Sequence, residues 1–116
     1  MAVKRIICNI KAFDLAKAEI FYGDFLGMDL VMDHGWIKTF VSQEIMNPQI
    51  SIASEGGNAT GVPDISIEVD NVEALYAKAI DLNLDILYPL SNEEWGVRRF
   101  YVKDPFEKVV NILQHV

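Results

Sequence analysis

Cysteine is almost missing from this chain: Cys8 stands alone among 116 residues. One thiol excludes an intramolecular disulfide framework and a CxxC-type zinc knuckle. Bases are also scarce, ten Lys and Arg against seventeen Asp and Glu, giving a net charge of −7. The only basic pairs are Lys4-Arg5 and Arg98-Arg99, and neither makes the clustered face that phosphate backbones require. A nucleic-acid partner is not expected. No apolar run approaches the roughly 20 residues of a membrane span, so a membrane partner is not expected either. Asn9 and Lys11 interrupt the one stretch with the basic start of a secretion signal, and the expected location is the cytoplasm. Histidine is limited to His34, in a turn-like stretch, and His115, near the terminus, where solvated imidazoles are the ordinary reading.

What the chain does have is apolar residues, 51% of the total, enough for a globular core in one domain. Two segments alternate as strands do. From Ile6 to Phe13, Cys8, Ile10 and Ala12 share one face, and Ile7, Asn9 and Lys11 share the other. From Asp64 to Val69, Ile65, Ile67 and Val69 oppose Asp64, Ser66 and Glu68. The first face of each is assigned to a helix, so Cys8 is expected as a buried, inert thiol. Each strand runs into a helix signal. Asp14 is placed to cap a helix whose Leu15, Ala18, Tyr22, Phe25 and Leu26 share a face, with Gly27 as its stop. Asp70 and Glu73 have capping-box spacing ahead of Val72, Leu75, Ala79 and Leu82, with Asn83 as a left-handed terminator.

Three strand-like runs follow each helix: 28–32, 36–41 and 50–53 in the first half, then 85–88, 97–102 and 109–113 in the second. Cys8, Ile10 and Ala12 fall on Ile65, Ile67 and Val69, 57 positions on, and with two more residues inserted Trp36 meets Trp95. The common order of strand, helix and three strands reads as an internal duplication. The expected fold is α+β: two tandem βαβββ modules, about 3–54 and 63–115, forming one 1–116 domain. Its mixed sheet is expected to curve into a half-barrel with the helices outside.

Phe13–Leu30, Pro63–Ala79 and Trp95–Leu113 together cover most of the chain, and in this order they resemble the vicinal oxygen chelate superfamily. That superfamily includes glyoxalase I, bleomycin-resistance proteins and extradiol dioxygenases. The most specific stretch is the last, WGVRRFYVKDPFEKVVNIL, with its aromatic strand, Asp-Pro turn and closing strand. The resemblance implies three metal-ligand positions, and they fall on Ile7, Asp64 and Asn111. Isoleucine ligates nothing, and an amide substitutes poorly for a carboxylate. Asp64 and Glu68 share a strand face but stand about 13 Å apart at ~3.3 Å per residue, too far for one ion. No metal and no other cofactor is expected.

The expected concave face carries the residues opposite the helices. Asn9, Lys11, Asp64, Ser66, Glu68, Arg99, Tyr101 and Asn111 are its candidate ligand-binding side chains, beside the apolar Ile7, Val109 and Leu113. Trp36, Phe40, Tyr88 and Trp95 are candidate stacking walls at strand starts and rims. Acidic groups beside aromatic rings suit a cationic or aromatic drug-like ligand. The leading expectation is a metal-independent small-molecule-binding protein of the bleomycin-resistance-like kind, sequestering its ligand as a homodimer. The alternatives are a divalent-metal lyase or dioxygenase with unorthodox ligands, and a scaffold whose cavity its own side chains fill.

Overall fold

The computed structural model describes residues 1–43 and 49–116. The elements run β1 (Val3–Lys11), α1 (Ala16–Ala18), a π-helical segment (Glu19–Phe25), β2 (Asp29–Asp33), β3 (Ile37–Val41), β4 (Gln49–Ala53), β5 (Ile65–Val69), α2 (Val72–Asp81), β6 (Ile86–Glu93), β7 (Val97–Lys103) and β8 (Val109–His115). This is the expected βαβββ order, played twice in an α+β chain. No helix among the described residues is long and apolar enough to cross a membrane. The chain divides into two compact units, Ile7–Val62 and a second made of Pro63–Val116 with Met1–Ile6. The first residues of β1 thus belong with the second module.

In the second unit β5 pairs parallel with β8, and β8–β7 and β7–β6 pair antiparallel. One face carries Val69, Phe100, Val110 and Ile112, packed under Val72 and Ala79 of α2 with Leu75 and Tyr76 half-buried beside them. Tyr76 meets Phe100 edge-on at 5.0 Å between centroids. Fully burying such side chains stabilises by roughly 1.5–3 kcal/mol each. Leu82, expected on this face, lies past the last turn and is exposed. The helix is capped by Asn71, whose side chain accepts from Ala74 N at 3.1 Å, and not by Asp70. Asp70 instead accepts from Ala2 N at 2.7 Å, tying down the start of the chain. Asn83 takes the left-handed conformation expected of it, φ 57°.

In the first unit β1 pairs parallel with β4, and β4–β3 and β3–β2 antiparallel. Its core is Leu15, Ala18, Phe40 and Ile52, with Tyr22 packed alongside. The opposite face buries two hydroxyls, Thr39 and Ser51, 2.7 Å apart. Three expectations are corrected here. The helix keeps α winding for one turn and then widens, with Leu26 N bonding five residues back to Phe21 O. That winding carries Phe25 and Leu26 off the buried face and into solvent. Asp14 accepts from Ala16 N at 3.2 Å, a turn bond before the helix, while Leu15 occupies the cap position. Cys8 is exposed, as is Ile10 on the same strand face, because this short helical layer leaves them uncovered.

The outer strands of the two modules, β2 and β6, are each interrupted by bulges, and β6 also carries Pro89. Bulges and proline discourage further strand pairing at an edge. Asn71→Ala removes the α2 cap, and the expected loss is about 1 kcal/mol of unfolding free energy in urea titration. Asp70→Ala, by contrast, leaves the helix cap intact.

Candidate functional site

Alternation decides which side chains of the second module leave the α2 side. On β5 these are Ser66 and Glu68, on β8 Asn111 and Leu113, and on β7 Arg99 and Tyr101, all buried. Asn111 lies opposite Tyr101 on one side and Ser66 on the other. Its Nδ2 donates to Ser66 Oγ at 3.1 Å. Its Oδ1 is buried without a hydrogen-bond partner among the described residues.

Arg99 is 3% exposed. A guanidinium cannot shed its proton, so burying it demands a counter-charge. Glu93, at the end of β6, supplies it: Arg99 Nη2 donates to Glu93 Oε2 at 3.2 Å, and Tyr88 OH donates to Oε1 at 2.9 Å. Arg99 Nη1 also donates to the Tyr101 hydroxyl at 3.2 Å. The rings of Tyr88, Trp95 and Tyr101 lie 5.3, 5.0 and 5.1 Å from the guanidinium carbon, within cation–π range. The turn at Gly96, φ 83°, folds Glu93 opposite Val97, which sets it diagonally across from Arg99. Glu93 was legible in principle: an acid and a base on diagonal positions of a tight hairpin are neighbours. A β6 strand ending at 88, as the sequence pattern predicts, leaves Glu93 outside the hairpin, whereas the strand runs on to Glu93.

The remaining candidates fall elsewhere. Glu68 accepts from Arg5 Nε and from His115 Nδ1, the latter at 2.9 Å, with Lys4 Nζ at 3.7 Å. It is a clasp joining the starting residues of β1 to β5 and β8. Burial pushes its carboxyl up, but hydrogen bonds from His115 and Arg5 and their positive charge outweigh this and hold it below the ordinary 4.5. Asp64 is exposed, and its Oδ2 accepts from Val109 N at 2.8 Å, so it caps the β5–β8 pairing. In the first unit Asn9 is half-buried and Lys11 exposed, its Nζ 6.0 Å from the Phe13 ring. Trp36 stacks on His34, 6.1 Å between centroids.

Phe40 is a correction: it is 1% exposed in the core beneath α1, not a wall at a rim. Pairing Trp36 with Trp95 sets Phe40 level with Arg99, whereas the two cores match Phe40 with Phe100. That one-residue slip moves a side chain to the other face of the sheet.

The metal positions implied by the resemblance do not fit an ion. Ile7 is a buried aliphatic, Asp64 is engaged by a backbone N–H, and Asn111 offers a neutral amide. Among the described residues no group of three or more His, Cys, Asp and Glu is arranged to hold one.

Removing one partner of a buried ion pair strands the other charge. Glu93→Gln or Arg99→Met is expected to cost about 3–5 kcal/mol in chemical denaturation, and the double variant Glu93→Leu/Arg99→Met is expected to recover most of that loss. A carboxyl depressed in the folded state contributes stability above its unfolded pKa and loses it as pH falls through the folded one. The stability difference between wild type and Glu68→Gln is therefore expected to be present above the ordinary carboxylate range and to shrink as pH falls through it, measured by urea unfolding from neutrality into acid.

Comparison with known proteins agrees with this architecture. No curated protein sequence matches the chain. Among solved structures, a protein described as the NAD-dependent benzaldehyde dehydrogenase from Legionella pneumophila superimposes with a TM-score of 0.77 at 16% identity, covering 97% of this chain and 100% of that one. A glyoxalase/bleomycin resistance protein/dioxygenase superfamily member from Vibrio splendidus 12B01 gives 0.71 at 14% identity, covering 99% and 100%. Methylmalonyl-CoA epimerase from Mycobacterium tuberculosis gives 0.63 at 14% identity, covering 98% and 87%. At these identities the likeness is one of fold. The family described as glyoxalase superfamily protein matches residues 1–116, the whole sequence, and the chain belongs to that superfamily.

Proposed function

We propose that this chain is a metal-independent small-molecule-binding protein of the glyoxalase and bleomycin-resistance type, working as a homodimer, and that its ligand is aromatic and uncharged. The observation that carries this reading is Asn111. It stands where the family resemblance implies a carboxylate ligand, its Nδ2 is engaged by Ser66, and its Oδ1 is buried and bare. Leaving such an oxygen unmet costs about 1–3 kcal/mol, and a ligand N–H or O–H meets it.

Charge favours the aromatic ligand over the cationic one. The acids that would attract a cation are already engaged: Glu93 by Arg99 and Tyr88, Glu68 by Arg5 and His115, Asp64 by Val109 N. The rings that would cage it surround Arg99 instead. The same engagements leave Glu68 and Asp64 poorly disposed as general bases, which supports sequestration over conversion.

Titration of the chelator-treated protein with planar aromatic compounds bearing an N–H or O–H donor, followed by calorimetry and tryptophan fluorescence, tests this reading. Binding is expected to persist in chelator and to weaken at least about tenfold in Asn111→Leu. Stoichiometric Ni, Zn, Mn or Fe in the purified protein, with binding that depends on it, would establish the metal-dependent lyase or dioxygenase reading instead. Binding by none of the compounds would favour a scaffold filled by its own Arg99, Trp95 and Tyr88.

A further inference from the structure

The geometry points to the outward face of the π-helical segment as the surface on which a second copy of this chain docks. This rests on the homodimer of the proposed function and names its contact face. Ile20, Phe21, Phe25 and Leu26 are 65%, 52%, 72% and 51% exposed, and the rings of Phe21 and Phe25 lie 5.2 Å apart between centroids. Continued α winding would stack Phe25 and Leu26 over Ala18 and Tyr22, on the buried side. The segment winds as a π-helix instead, an uncommon form that recurs at functional sites. The local conformation thus works against burial of these side chains within their own chain.

Size and charge favour a second copy as the occupant. With about 150–250 Å² for a whole aromatic side chain and somewhat less for Ile and Leu, the exposed fractions amount to roughly 450 Å². A standard interface takes about 800 Å² from each partner, of which roughly 56–65% is apolar, so this patch matches the apolar share of one side. An isologous contact uses the same patch twice and needs no second surface. Lys17 sits near the start of the helical stretch and Asp24 near its end, both exposed. That order opposes the helix dipole within one chain. An antiparallel mate reverses it, setting Lys17 of each copy toward Asp24 of the other. The bulged outer strands make strand-edge pairing a poor alternative route.

Light scattering coupled to size exclusion, on the full chain at micromolar concentration, tests the assignment. Wild type is expected to run as a dimer, and Phe25→Glu as a monomer with an unchanged circular dichroism spectrum, since Phe25 is mostly solvated in one chain. Lys17→Asp is expected to weaken the dimer at least about tenfold, and the swap Lys17→Asp/Asp24→Lys to restore it. If Phe25→Glu fails to fold, the charge swap decides alone. A Phe25→Glu dimer of wild-type affinity, or a swap that restores nothing, overturns this face while leaving the homodimer standing. A monomeric wild type overturns both.

Discussion

A permanently charged guanidinium lies buried on the sheet face away from α2, and much of the second module is arranged around it. A guanidinium carries a permanent charge, so burying Arg99 requires the chain to bring an acid to it. Glu93 can reach only if β6 runs to the very end of its hairpin and Gly96 takes its left-handed turn. Tyr88 must then occupy the second carboxylate oxygen, and the β6 bulges on either side of Tyr88 alter its register against β7. Trp95, in the turn itself, closes over the guanidinium. Bulges, turn and aromatic residues are therefore parts of one solution to one desolvated charge.

The two modules share an order of elements but differ in how their helices cover the sheet. Asn71 caps a ten-residue α2, and that helix lays Val72, Leu75, Tyr76 and Ala79 on a continuous apolar face. The first module has one α turn followed by π winding, and only Leu15, Ala18 and Tyr22 reach its core. Its uncovered remainder includes Cys8, Ile10, Phe21 and Phe25. The likeness lies in the order of elements. The divergence concentrates in the first helix, where the second module satisfies its own face and the first leaves part of its face open.

This contrast also marks what could be read in advance. Alternation assigned both faces of β5, β7 and β8 in the second module, because a strand buried on one side has period two and little freedom of register. Helix existence was legible from periodicity, but winding was not. The spacing of Leu15, Ala18, Tyr22 and Phe25 assumes 3.6 residues per turn, and nothing local announces a bond five residues back. Cys8 failed for the same reason, since its burial depended on a helix covering it. The site residues Ser66, Arg99, Tyr101 and Asn111 were placed by alternation, whereas Glu93, Arg5 and His115 entered through partners set by turns and chain ends. Phe40 was lost to a repeat aligned on its tryptophans, when the buried aromatic pair Phe40 and Phe100 carries the register.

The amide at 111 and the ion pair at 93 and 99 belong to one charge balance. A carboxylate at 111 would stand beside Tyr101, whose hydroxyl already accepts from Arg99, and would be the second buried acid in this network. Arg99 is committed to Glu93, so that second acid would need a cation from elsewhere or would stay protonated. Here a neutral side chain removes the need for one, and the cation inside the fold is answered by an acid inside the fold. Metal independence, as proposed, is then the electrostatic counterpart of Asn111. In that proposal the bare amide oxygen is the point of contact for a ligand that brings a hydrogen-bond donor and no charge.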